Sequence, residues 1–528
     1  MAATQSWRCY VDRPIWATIG GPATSALIAR RKVDPRTTGD CGMSAHAAFV
    51  AALAALGVGL TLDAVASPPR APGWRPPFLR LLAHAALLGG LLCLTFFRPV
   101  SSINLYVVGV ATLVAASLSK RRILRERLVA PDLLLVRQIL RHPRMYYTSE
   151  RDWRVWAIGA GVLAALGAIA LEPSLGVKAG LTIFCGVAAV LALLTLLCAR
   201  AASPRLDDAA DQADRAIAQT GLIGSLYAGA LALRATPDAA PAPPAALADV
   251  STEALVVAVQ CESFLSGERF AGGPALPEFA ALRTVSRLNG RLETPAYGAN
   301  TMRAEFSFLS GLPNARLGAL RFNPYLASAA LGPAALARRL REAGWRTIFV
   351  HPNDARFFDR DRVVPDLGFE RFIDGTDFAG ASRAGPYVSD AEVAKKVLAL
   401  AAQTPRPALI FAATMENHGP WRAGRLGPGK SGLDCFKQHL VNADAMIGAL
   451  REGLSRLRGP VVLCVFGDHL PALDLPGVDD LLATDYALAR LDDAPKGAPQ
   501  TITIERRMRI ENLLAAALAC AAARREAD

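Results

Sequence analysis

Charge is what this chain has little of. Asp, Glu, Lys and Arg make up 20% of its 528 residues, while apolar residues reach 52%. Soluble globular domains usually carry nearer a quarter charged. It also lacks patterned cysteine. Cys9, Cys41, Cys93, Cys185, Cys198, Cys261, Cys435, Cys464 and Cys520 are scattered, with no CxxC or zinc-finger spacing. There is no internal repeat. These absences exclude a disordered chain, a collagen-like repeat and a small disulfide scaffold. The apolar excess then has to be located.

It lies in the first 200 residues. Ala47–Ala66, Leu81–Phe97, Ile103–Leu118, Val155–Leu171 and Ala179–Cys198 are nearly free of charge. Each is close to the ~20 residues needed to cross hydrocarbon. The reading is five membrane-spanning helices. Asp63 and His84 lie near span ends, where snorkelling to the interface is expected. Residues 1–42 show neither helical nor strand period and read as a poorly ordered tail, or as an extension before a true start at Met43. The apolar run is too long, and the tail too extended, for a cleavable signal peptide.

Orientation is contested. Ser119–Arg154 holds ten Lys and Arg, including Lys120, Arg121, Arg122, Arg125 and Arg127. The positive-inside tendency puts such a loop in the cytoplasm. Two further spans would return the chain to that same side. Ala216–Leu233, uncharged but interrupted by Gln219, Thr220 and Gly221, either crosses as well or lies along the surface.

After Cys198 the composition changes. Thr236–Asp249 is proline- and alanine-rich, the mark of an extended linker. The expected organisation is a tail at 1–42, a membrane domain at 43–199, a linker at 200–250 and a globular domain at 251–528. In that last part Ala254–Gln260, Thr347–Val350, Ala408–Ala413 and Val461–Phe466 are short apolar, strand-like runs. Helical stretches at Pro333–Ala343, Asp390–Gln403 and Phe436–Leu457 separate them. Apolar strands alternating with helices predict an α/β domain, its sheet mainly parallel and covered on both faces. Ligands in such folds bind beyond the carboxyl ends of the strands.

Chemistry-bearing residues follow those strands. Cys261-Glu262-Ser263 comes after the first, His351-Pro352-Asn353-Asp354 after the second, Thr414 through His418 after the third and Gly467-Asp468-His469 after the fourth. Three of the chain's seven histidines are among them. Carboxylate and imidazole ligands at one rim suit a divalent transition metal. A further segment, Gly298-Ala299-Asn300-Thr301-Met302-Arg303-Ala304-Glu305-Phe306, opens a helix. Asn300 or Thr301 could serve there as its N-cap. A hydroxyl at that position also feels the positive end of the helix dipole, and beside a metal it could act as a nucleophile.

The ordered motifs CESF, GANTMRAEF, HPNDARFFDR, MENHGPW and FGDHLP resemble the lipoteichoic acid synthase and phosphoglycerol transferase family of the alkaline phosphatase–sulfatase superfamily. The resemblance runs from about Leu255 to Leu473. It implies Glu262, Asp468 and His469 as ligands of a single divalent metal, with Thr301 as nucleophile and fourth contact. That metal is manganese in the best-known members, with zinc or magnesium as alternatives. It implies His418 at the substrate phosphate, and Arg360 and Phe358 lining the glycerol-phosphate pocket, where the family usually has tryptophan in place of Phe358. His351 occupies the family's strand-end position. Ser263 is expected to support the Glu262 loop.

The resemblance further implies an enzyme of the bacterial plasma membrane, with its catalytic domain outside the cytoplasm. A phosphatidylglycerol-like lipid would be the donor, and a glycan or polymer of the cell envelope the acceptor. No nucleic-acid partner is expected. One alternative is a phosphoethanolamine transferase, whose members usually carry several disulfides. Another is a membrane scaffold or transporter with a degenerate outer domain.

Overall fold

The computed structural model describes residues 45–68, 78–142, 177–200, 209–234, 253–493 and 504–522, with isolated positions between 145 and 174. The expected tail at 1–42 and the proline-rich stretch lie outside these residues, as does Val155–Leu171 but for single positions. The membrane half contains α1 (Ala45–Ala66), α2 (Phe78–Leu94), α3 (Pro99–Leu124), short α4 (Ala130–Leu134) and α5 (Val136–Arg141), α6 (Val177–Arg200) and α7 (Ala209–Ala232). Among the described residues three helices, α1, α3 and α6, are long and apolar enough to cross a membrane. Helix α2 falls short at 17 residues. It packs against α3, α6 and α7. Its Gly89 lets Val187 of α6 come so close that a Cβ would stand 2.4 Å from a valine methyl.

Asp63 and His84 do not snorkel. Both are fully buried, with His84 Nε2 2.9 Å from Asp63 Oδ2 and His84 Nδ1 2.6 Å from the Tyr106 hydroxyl. Three helices thereby satisfy one another's polar groups away from lipid. The other Asp63 oxygen accepts the Leu222 amide at 2.7 Å, where α7 breaks at Gly221 with φ 74°. Helix α7 therefore spends its apolar face on α2 and α4, and it is not among the helices apolar enough to cross.

The described part of the basic segment after α3 is packed as far as His142. Gln138 donates to the Arg356 carbonyl at 3.3 Å and to Asp359 Oδ1 at 3.2 Å. The His142 ring meets Phe357 edge-on at 5.4 Å. These contacts pack the described start of the loop directly on the C-terminal domain.

That domain is built on a mixed sheet. Its strands are β1 (Leu255–Cys261), β2 (Leu288–Glu293), β3 (Arg346–Val350), β4 (Arg371–Ile373), β7 (Ala408–Ala413), β8 (Val461–Gly467), β9 (Ala483–Arg490), β10 (Ile504–Glu505) and β11 (Met508–Arg509); β5 (Arg383–Ala384) and β6 (Tyr387–Val388) form a separate hairpin. The order is β10-β2-β9-β8-β1-β7-β3-β4, with β11 also on β2. Strands β8, β1, β7, β3 and β4 run parallel, and β9 is antiparallel to both neighbours.

Each central strand feeds two cores, because side chains alternate across a sheet. Leu255, Val257 and Val259 enter one core, with α8 (Pro277–Thr284), α12 (Asp390–Gln403) and α13 (Gly432–Ser455). Val256 and Ala258 enter the other, with α9 (Thr301–Ser310), α10 (Leu336–Glu342), α11 (Arg360–Asp366) and α14 (Leu513–Ala522). Helices on both faces explain the unbroken apolar runs.

Candidate active site

Parallel strands end on one edge, so the residues that follow them converge. Glu262 follows β1, His351 follows β3, Thr414 through His418 follow β7, and Asp468 and His469 follow β8. Glu262, Asp468 and His469 are buried, and each offers a ligand atom within 4.8 Å of the others. Ser263, in a left-handed turn at φ 51°, donates its hydroxyl to Glu262 Oε1 at 2.8 Å. Its amide donates to Asp468 Oδ1 at 2.8 Å.

Thr301 is brought to this edge by its own loop. The Gly298 amide donates to the Leu470 carbonyl at 2.9 Å, one residue past His469. Thr301 is the first residue of α9, preceded by Asn300 at φ 69°, and no side chain caps the helix. Asn300 thus holds the N-cap position without a capping side-chain hydrogen bond, and Thr301 is not the cap. Thr301 Oγ1 instead stands 3.3 Å from Glu262 Oε2 and 3.4 Å from His469 Nε2.

The electrostatics call for a cation. His469 Nδ1 lies 2.9 Å from the Leu470 carbonyl, which can only accept, so Nδ1 carries a proton and, in the neutral ring, Nε2 presents a lone pair. That lone pair is 3.3 Å from Asp468 Oδ2 and 3.4 Å from Glu262 Oε1. Asp468 Oδ2 is buried with no hydrogen-bond partner. Burial, and then the Glu262 charge, push Asp468 up to about 6. Burial alone would lower the His469 pKa, but Asp468 and Glu262 raise it above the usual imidazole value. Two carboxylates and an imidazole nitrogen aimed at one point fit a divalent metal, and the backbone bond at Nδ1 is the outer support such histidines usually have.

The neighbouring histidines share that tautomer. His418 Nδ1 is 2.6 Å from the Gly419 carbonyl, and His351 Nδ1 is 3.0 Å from the Ala413 carbonyl. Burial holds the His418 pKa down at about 4, with help from the His469 and Arg425 charges. Burial and Arg360 put His351 well below its usual value. Both rings are therefore neutral at pH 7, with a bare Nε2. Tyr387 lies against the His418 ring, its hydroxyl 3.5 Å from Nδ1.

Arg360 is placed differently from the rest. It is buried, with Nε 3.2 Å and Nη2 3.0 Å from the two oxygens of Glu305 on α9. Tyr325 also donates to Glu305. Phe358, half-buried in a left-handed turn at φ 59°, lies beneath the guanidinium at 5.4 Å. Sequence reasoning missed Glu305 as a partner, although it sits inside the quoted GANTMRAEF motif. It also missed Glu126, which pairs with Arg303 of the same helix.

Residues 254–503 match the sulfatase family. The capsular polysaccharide biosynthesis protein RkpI of Rhizobium meliloti is 38% identical over 224 residues, covering 42% of this chain and 41% of that protein. The chain thus spans about two fifths of that relative's length. The lipooligosaccharide phosphoethanolamine transferase EptA of Neisseria meningitidis aligns over 91% of this chain and 96% of its own, at 14% identity and a TM-score of 0.51. That likeness bears on the fold, including the arrangement of membrane helices and domain. The Streptococcus pyogenes phosphoglycerol transferase GacH aligns over 51% of this chain and 76% of its own, at 21% identity and a TM-score of 0.43. Residues 254–503, which carry the mainly parallel sheet and the Glu262–Asp468–His469 cluster at its edge, are thus similar to the sulfatase family.

Proposed function

We propose that this is a metal-dependent transferase that moves glycerol phosphate from a phosphatidylglycerol-like membrane lipid, through Thr301, to a glycan or polymer of the cell envelope. Residues 43–199 would be its membrane domain, 200–250 an amphipathic and Pro/Ala-rich linker whose helix α7 packs back on that domain, and 251–528 the catalytic domain, facing outward. The observation that carries this reading is the Thr301 hydroxyl, uncapped at a helix start and 3.3–3.4 Å from two ligand atoms of the carboxylate–imidazole cluster.

Glu262, Asp468 and His469 would hold the metal, manganese by the motif resemblance, with Thr301 beside it. A bound metal supplies positive charge that acidifies the hydroxyl and stabilises phosphoryl oxygens. Thr301 Oγ1 forms a bond to phosphorus as the bond to the diacylglycerol oxygen breaks. Thr301 gives up its proton, and the departing diacylglycerol gains one. In the second half-reaction an acceptor hydroxyl attacks phosphorus and its proton passes to His418 Nε2, which is neutral and bare. The Thr301 oxygen leaves and takes up the proton that His418 received, which returns the imidazole to its neutral form. His351, Arg360 and Phe358 remain assigned to the pocket around the head group. Arg360 would act there through whichever N–H groups Glu305 leaves free.

The likeness to a capsular polysaccharide biosynthesis protein supports a surface polysaccharide as acceptor. The experiment is incubation of the full-length protein with phosphatidylglycerol or phosphatidylethanolamine, each carrying labelled acyl chains. Diacylglycerol released from phosphatidylglycerol alone, and dependent on manganese, supports the reading. Release from phosphatidylethanolamine alone replaces it with phosphoethanolamine transfer.

A further inference from the structure

Helix α9 carries Thr301 and is held from the side of α3 by a contact whose second partner, Glu126, lies outside every motif. Arg303, two residues after Thr301, is fully buried and directs Nη1 and Nη2 to the two oxygens of Glu126 at 2.7 and 3.0 Å. Glu126 lies two residues beyond the end of α3, one of the helices long enough to span. Lys120, in the last turns of α3, adds a third contact, 3.5 Å from Glu126. Burial alone would raise the Glu126 pKa, but Arg303 and Lys120 hold it below the usual carboxylate value.

Other contacts agree on the docking. Gly298, at φ 75°, has so little room that a Cβ would stand 3.2 Å from Leu124 of α3 and 2.9 Å from Ala472. Arg303 Nε donates to the Phe322 carbonyl at 3.2 Å, and Phe322 packs on Ala213 of α7. Two-point guanidinium–carboxylate pairs fix orientation as well as distance.

We propose that Glu126 and Arg303 are positioning residues that dock the nucleophile helix on the end of span α3, so that Thr301 meets a phosphodiester at the membrane boundary. The donor class this selects is an amphiphile whose phosphate sits at the interface, in preference to a water-soluble phosphodiester. The inference rests on the lipid-donor reading of the site. It assigns to these two residues the step from a general phosphodiester site to a membrane-directed one.

The test compares wild type, Glu126→Gln and Arg303→Lys, as full-length protein in vesicles of phosphatidylglycerol and phosphatidylethanolamine. Diacylglycerol release is measured beside hydrolysis of bis(p-nitrophenyl) phosphate. Both variants should lose at least tenfold in kcat/KM for the lipid, most of it in KM. They should stay within twofold of wild type on the soluble ester and keep the metal-induced rise in Tm. Equal losses on both substrates, or no loss on either, overturn the proposal. If wild type releases no diacylglycerol from either lipid, the lipid-donor reading fails first and takes this inference with it. Wild-type release matched by both variants rejects the inference alone. Hydrogen exchange over residues 297–303 guards against simple misfolding: faster exchange confined to that segment is expected, and exchange unchanged there also overturns the proposal.

Discussion

Glu305 and Arg360 form a buried two-point ion pair that ties α9 to α11, just behind the helix start that carries Thr301. Burial raises the Glu305 pKa against the pull of Arg360. Removing one member of such a pair strands the other charge in a dry interior. Glu305→Gln should therefore destabilise the domain by about 3–5 kcal/mol, and Arg360→Met by a similar amount. Denaturant unfolding measures it. A loss below about 1 kcal/mol would mean that Arg360 serves substrate and not the fold.

Asp468 carries the opposite expectation. Its Oδ1 accepts the amides of Ser263 and His469, both at 2.8 Å, while Oδ2, buried without a hydrogen-bond partner, adds charge beside Glu262 that only His469 offsets. Asp468→Asn can keep both amide contacts and relieve the repulsion. In chelator the variant should melt at a higher temperature than wild type. Added manganese should stabilise wild type by about 2.7 kcal/mol at a hundredfold excess over Kd, and the variant hardly at all. A variant that melts lower in chelator contradicts the repulsion argument.

The pH profile follows from His418. Its folded pKa of about 4 lies below the ordinary 6.5, so the folded state binds fewer protons between those values. Its stabilising contribution is fully present above pH 6.5 and fades as pH falls toward 4. Neutral Nε2 is also the form that takes the acceptor proton. At saturating metal the acid limb of kcat/KM should therefore fall nearer pH 4 than pH 6.5. A limb centred at 6.5 that His418→Gln leaves unmoved would remove His418 from this role.

Topology is testable without activity. Arg137 in the basic loop and Arg383 in the globular domain are both exposed. Cysteines placed at either should react with a membrane-impermeant maleimide from the same side. The outward reading predicts labelling in intact spheroplasts. Labelling of both only after lysis shows that the basic loop obeys the positive-inside tendency and carries the domain with it. Labelling from opposite sides contradicts the fold.

The sheet was legible where burial is two-sided. Strands β1, β7 and β8 are unbroken apolar runs, and the acids and imidazoles after them stood out because a buried strand has none. Strands β2 and β9 escaped notice. LNGRLE and ATDYALAR carry charge and alanine, and their place in the sheet depends on pairing across nearly 200 residues. The buried Asp485 of β9 is compensated by the Ser266 amide and Arg269, far off in sequence. The same distance hid the rest of the site. Nothing in the sequence links Glu126 to Arg303 of the GANTMRAEF motif until the fold brings residues 177 apart into contact. Asp63 and His84 read as interfacial until Tyr106 is seen to complete them.

The central claim is that Thr301 carries the transferred group. Full-length protein mixed with phosphatidylglycerol and metal, without acceptor, should be quenched in acid and digested. Mass spectrometry should then find glycerol phosphate on Thr301 and nowhere else. Thr301→Ala should carry none, with turnover lower by orders of magnitude and an unchanged fold, because Thr301 caps nothing. An adduct on another residue, or near-normal turnover by Thr301→Ala, would contradict the account.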